Sequence, residues 1–198
     1  MLIDDCPLGM FGHVLIRDAD TRRVWVDKAN QINYETTSYA LAMSFAHRPG
    51  GNIMQMSFGN GASSVSAVGG ISYLGPNVTG MDAQLHNQTY VKFVDDQSPL
   101  LNPDPIDNFI RVNHSSGTTY SDVVVTCLLD YNEPSGQNAV DVTPDSSGEF
   151  IFDELGLKTY DPNTLDGMLL THVIFHPVMK ALNRRIEIIY TIRIVMAK

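Results

Sequence analysis

Cysteine is nearly absent: Cys6 and Cys127 are the only two in 198 residues. Thiols so few and so far apart build neither a disulfide framework nor a zinc ribbon, and both are expected to be reduced and idle. Positive charge is also scarce. Thirteen Lys and Arg stand against 22 Asp and Glu, a formal net charge of −9. A phosphate-neutralising surface would have to be a local patch working against the field of the whole chain, so direct nucleic-acid binding is not expected. Long apolar runs are missing as well. Nothing approaches the roughly 20 residues of a membrane-spanning helix, and "MLIDDCPLGMFG" carries acids where a secretory leader needs basic residues. We therefore expect neither a leader nor membrane insertion, and the sequons at Asn77, Asn87 and Asn113 read as chance.

What is present is 43% hydrophobic content, enough at this length for one core without covalent staples. The expectation is a single domain spanning residues 1–198, with extended loops near 59–80, 95–108 and 131–148. Two β-rich runs, His13 to Arg17 and Arg23 to Asp27, flank Asp18-Ala-Asp-Thr and read as a hairpin. In "NYETTSYALAMSFAHRPG" the composition turns to helix formers behind a capping Asn33, and Pro49-Gly50-Gly51 closes it, which predicts one helix over about residues 34–47. Ile53, Met54, Met56 and Phe58 suggest a short strand before a Gly- and Ser-dense tract that runs to Gly80. "DDQSPLLNPDPIDN", with three prolines in fourteen residues, reads as a surface loop. "TTYSDVVVTCLLDY" and "EFIFDELGL" have strand composition.

The clearest period lies at the C-terminus. "RRIEIIYTIRI" puts Ile186, Ile188, Tyr190, Ile192 and Ile194 on one face and Glu187, Thr191 and Arg193 on the other, the pattern of a half-buried antiparallel strand. The whole reads as mainly β: an antiparallel β-sandwich or barrel-like domain of about seven to nine strands, with one short helix and long Gly/Pro-rich loops.

Candidate chemistry is thin. His172 and His176 in "THVIFHPVMK" would sit about 6 Å apart on a helix, as in zinc proteases. Pro177 disfavours helix at His176, and a strand separates the rings by about 13 Å, too far for one ion. "FGNGASS" (58–64) has glycines that could present amides to an anion, but it lacks the lysine and following helix of a P-loop. The acid pairs Asp4-Asp5, Asp95-Asp96 and Asp153-Glu154, and Asp104 with Asp107, fit no calcium loop and read as solvated loop carboxylates. A weak surface cation at Asp95, Asp96 or Asp104 is the alternative. No G-x-S-x-G elbow or nucleophile context for either cysteine occurs. We assign no catalytic, cofactor-binding or metal residue and no small-molecule substrate.

Two stretches, "GHVLIRDADTRRVWVDKANQINYETTSYALAMSFA" followed by "IMQMSFGNG", and "FIFDELGLK" leading to "LLTHVIFHPVMKALNRRIEIIYTIRI", together resemble small virion structural proteins of tailed bacteriophages. The resemblance implies a non-enzymatic part of a symmetric assembly, made in the host bacterial cytoplasm and resident in the virion. Its partners would be copies of itself and other virion proteins in the tail, baseplate or neck/collar, with head decoration as the alternative. A separate reading is a carbohydrate-binding β-sandwich for host surfaces, which needs an exposed aromatic platform among Trp25, Tyr73, Tyr90, Tyr120 and Tyr160. A glycan hydrolase would need two acids about 5–9 Å apart in a cleft.

Overall fold

A computed structural model describes residues 7–67, 69–134 and 149–196. Strands β1 (Leu8–Asp18) and β2 (Val24–Ile32) precede helix α1 (Tyr34–Phe45). Then come β3 (Ile53–Gly59), β4 (Ser63–Val65), β5 (Ile71–Tyr73), β6 (Gln88–Phe93), β7 (Phe109–His114), β8 (Tyr120–Leu129), β9 (Glu149–Thr159), β10 (Thr171–Ala181) and β11 (Ile186–Met196). Nine strands form one antiparallel sheet in the order β6-β3-β9-β10-β2-β1-β11-β8-β7, which curls into a half-barrel. The remaining two, β4 and β5, pair as a small hairpin. The mainly β, barrel-like antiparallel domain with one helix expected from the sequence is what the chain forms, as one sheet bent over its own concave face. Eleven strands among the described residues exceed the expected count, because β4 to β7 are short and lie between irregular tracts where a period of two barely begins.

The β11 pattern explains the curl. Ile186, Ile188 and Tyr190 are fully buried and Ile192 nearly so, each buried isoleucine contributing about 2–3 kcal/mol relative to exposure. Across the ladder Ile188 faces Ile16 and Tyr190 faces Val14, while β8 supplies Val125, Cys127 and Leu129 to the same core. On the outer face Glu187 binds Arg17 and Arg22, and Arg193 binds Asp122. One margin is tied to the strand next to the other: Lys92 of β6 donates to the Leu128 carbonyl of β8 at 2.7 Å.

Helix α1 starts where the sequence places it. Asn33 Oδ1 accepts from the Thr36 amide, and the Asn33 side-chain amide donates to the Gly80 carbonyl. The helix stops at Phe45, two residues short of the expected end, because His47 takes a left-handed φ of 52° before Pro49 is reached. Among the described residues no helix is long and apolar enough to cross a membrane. Chain from the 59–80 tract onward lies over the outer face of β3, β9 and β10. There Ala83, Leu85 and Leu169 form a second small core against Gly156, where a Cβ would come within 2.6 Å of the Thr171 carbonyl oxygen.

Candidate functional site

Thr171 to Ala181 is a strand, and its two histidines take different partners. His176 faces outward, its Nδ1 3.0 Å from the Tyr73 hydroxyl. His172 is fully buried and bonded to Glu154 of the neighbouring strand β9, whose carboxylate is fully buried too. A third group, His86, holds its ring 5.4 Å from that of His172, tilted by 50°. Ligand atoms of His86, Glu154 and His172 all lie within 4.8 Å of one another, close enough for a metal's ligand set. This cluster escapes sequence reasoning because its members come from three separate segments and share no spacing rule. Only the pairing of β9 with β10, which sets Glu154 opposite Ile174, brings it together.

Proton inventory decides what the cluster does. The Asn77 amide donates to His172 Nδ1 at 2.8 Å, so that nitrogen presents its lone pair and the neutral ring carries its proton on Nε2. Nε2–H then donates to Glu154 Oε2 at 2.9 Å. Neither nitrogen of His172 has a lone pair left for a cation, so the residues do not fit a metal. His86 Nε2 likewise lies 2.9 Å from the Gly75 carbonyl oxygen, an acceptor to which it donates.

Glu154 collects more. The amides of Gly61, His86 and Asn87 donate to its two oxygens at 3.2, 2.9 and 2.8 Å. Burial works to raise its pKa, but the bonds from His172 and the three amides outweigh burial and hold the carboxyl below its ordinary value. Next to it Asp153 accepts from the amides of Ala62 and Ser63 and from the Ser63 hydroxyl. Asp153 and Glu154 are therefore not the solvated loop acids expected from sequence: they are buried anchors. The 58–64 loop does present amides to an anion, and the anion belongs to the same chain. Gly59 is required for the approach, since a Cβ there would lie 2.4 Å from Glu154 Oε1.

The remaining candidates stay apart. Asp95 caps its own turn through Gln97 and Ser98, and the Asp104 backbone carbonyl accepts from the amides of both Asp107 and Asn108. Asp4, Asp5 and Cys6 lie outside the described residues, as does most of the 131–148 loop. Cys127 is buried in β8, and burial pushes its thiol up to about 12. Of the aromatic candidates, Tyr90 is in the core and Tyr160 packs edge-on to Phe93. Arg184 lies over Trp25 and Arg193 over Tyr120. No flat exposed platform joins them among the described residues.

A cavity lies at the end of the half-barrel where the two sheet margins part. It measures about 440 Å³ and is lined by Met10, Ile32, Ile110, Val123, Ile192 and Ile194 from the sheet, together with one side of α1 and the segment Asp95 to Gln97. Asp96 is half-buried there and makes no hydrogen bond or ion pair among the described residues. Comparison of the chain with protein-family models, with curated proteins and with solved structures found no match.

Proposed function

We propose that this protein is a non-enzymatic structural component of a tailed-bacteriophage virion. In this reading it works by protein–protein contacts in the tail, baseplate or neck region, with head decoration as the alternative position. The observation that carries it is an internally tied loop with bare apolar tips. In the 95–108 tract the Asn102 side chain donates to the carbonyls of Asp95 and Asn108, and Asn108 binds the Asp104 carbonyl and the Leu128 amide. Yet Leu100 is 99% exposed and Ile106 86%. Apolar side chains held out on an ordered scaffold gain about 1.5–3 kcal/mol each when a neighbour covers them.

The polar chemistry of the fold supports the same reading. Glu154, His172, Asp153 and Lys180, the groups most able to act on a substrate, all face their own chain and are buried. The resemblance of the early hairpin and closing strands to virion proteins supplies the setting. Mass spectrometry of purified particles together with a density map tests it: the chain should appear at a fixed copy number, with the 95–108 loop against a neighbour. A chain absent from particles, or a purified sample that turns over a glycan, overturns the proposal.

A further inference from the structure

The sheet has two free margins, and they differ. Strand β6 carries Lys92, whose ammonium is buried against Leu128 and Glu133, so that margin is stitched back onto the fold. Strand β7 is hydrogen-bonded to β8 alone, and among the described residues no strand meets its other side. Long bare edges are normally blunted by bulges, inward charges or covering chain. Among the described residues β7 has no bulge and no inward-facing Lys, Arg, Asp or Glu. The β7–β8 register is regular, and the guanidinium of Arg111 lies over Phe109 at 4.4 Å. Ile110 and Val112 face inward and Ile110 lines the cavity, while His114, next on that face, has its Nδ1 3.0 Å from the Ser121 hydroxyl across the ladder. Val112, on the same face and paired with the cavity-lining Val123, is 68% exposed. An inward-facing valine left this bare marks a missing neighbour.

The rim specifies the charge of that neighbour. Among the described residues Asp95 and Asp96 are the titratable groups that line the cavity, with no Lys, Arg or His among its walls. Asp95 is engaged by Gln97 and Ser98, whereas Asp96 is not engaged among the described residues. A half-buried carboxylate beside apolar walls favours a ligand that brings both apolar groups and a cation. Free strand edge, apolar pocket and unpaired acid lie together at one cleft.

We infer that this cleft is a docking groove for an extended segment of another protein, which adds as a further strand along β7. Alternate apolar side chains of the guest enter the cavity beside Ile110 and Val112, and a Lys or Arg on the same face meets Asp96. Main-chain bonds supply affinity and the pocket with its carboxylate supplies selection, as in strand-addition complexes generally. A second copy of this chain is a poorer guest, since each copy carries a net charge of −9. The inference rests on the reading that the protein works by protein contacts.

The test uses the full chain and blocked peptides of about seven residues, one strand length. One peptide carries Val, Val and Lys on one face with Thr and Ser on the other; a second replaces Lys by Glu; a third is the Lys peptide methylated on alternate backbone nitrogens. Titrations followed by amide NMR should show the Lys peptide protecting β7 amides from exchange and shifting Ile110 and Val112. The Glu peptide should bind about tenfold more weakly or worse, the methylated one not at all, and Asp96→Asn should erase the preference for Lys over Glu. Equal binding of the Lys and Glu peptides, or binding of neither, overturns the inference. So does octylammonium giving the same cavity shifts with β7 unprotected, or β7 protection that tracks self-association in sedimentation without any peptide. Peptides that fail while the chain is found in particles sink the groove and spare the assembly role; peptides that bind while the chain is absent from particles do the reverse.

Discussion

A carboxylate buried like Glu154 is tolerable because four N–H groups converge on it, and each becomes an unmet donor if the acceptor changes. Glu154→Gln replaces one accepting oxygen by an NH₂ that confronts the same donors. We expect it to lower unfolding stability by about 2–4 kcal/mol in urea titrations and to expose residues 60–87 to protease. The pH dependence follows in sign. The native pKa lies below the ordinary 4.5, so the native state holds fewer protons than the unfolded chain just under that pH. Glu154's contribution is therefore complete above about 4.5 and is lost as pH falls through the native pKa. Asp18 and Asp122, also lowered, act in the same direction, so the variant should show a shallower acid slope than the parent rather than none. His172 gives an independent readout. Nitrogen NMR should find its proton on Nε2 and none on Nδ1, and melts with added zinc or with chelator should superpose; a zinc-dependent rise in Tm would contradict the proton assignment.

Elements are held to one another here by buried cations as much as by ladders. Lys180 of β10 is fully buried and donates to the carbonyls of Asp130, Glu133 and Ala181, locking the turn after β8. Burial lowers its pKa from 10.5 to about 8. Between those values the unfolded chain holds the proton that the native state has released, so this group makes stability rise with pH across that window. Cys127, raised from 9.0 to about 12, has the opposite sense: its native thiol keeps a proton the unfolded chain loses, and stability falls from about pH 9 upward. Chemical denaturation between pH 7 and 10 should therefore show a rise into pH 9 followed by levelling. Lys180→Met should flatten that rise to the share of Lys158, also lowered by burial, and cost about 2–4 kcal/mol at neutral pH by orphaning three carbonyls. Where chain crosses the outer face of β9, Gly156→Val should cost about 2 kcal/mol or more, read from the urea midpoint, because the Thr171 backbone cannot withdraw.

At the scale of the whole molecule, the sheet order puts β1 and β11 in the interior and β6 and β7 at the margins. Hydrogen exchange should be slowest in β1 and β11 and fastest in β7, since opening an edge exposes one ladder rather than two; a β7 as protected as β11 in the isolated chain would contradict the open groove. The 59–80 tract is pinned by Asp153, Glu154 and Asn33, and the 95–108 tract by its own asparagines, so the described parts of both are held within the chain. What the sequence by itself determined was local: the Ile186 to Ile194 alternation, the Asn33 cap and the first hairpin follow from periods of two and from capping chemistry acting between near neighbours. Only the tertiary structure decided the rest. Whether two acids at Asp153-Glu154 are solvated or buried depends on which distant amides arrive over them, and His86 meets His172 only through the path of the covering chain. The open margin at β7, too, is a property of how far one sheet can curl before its ends meet, a matter of long-range geometry that no short window of residues encodes.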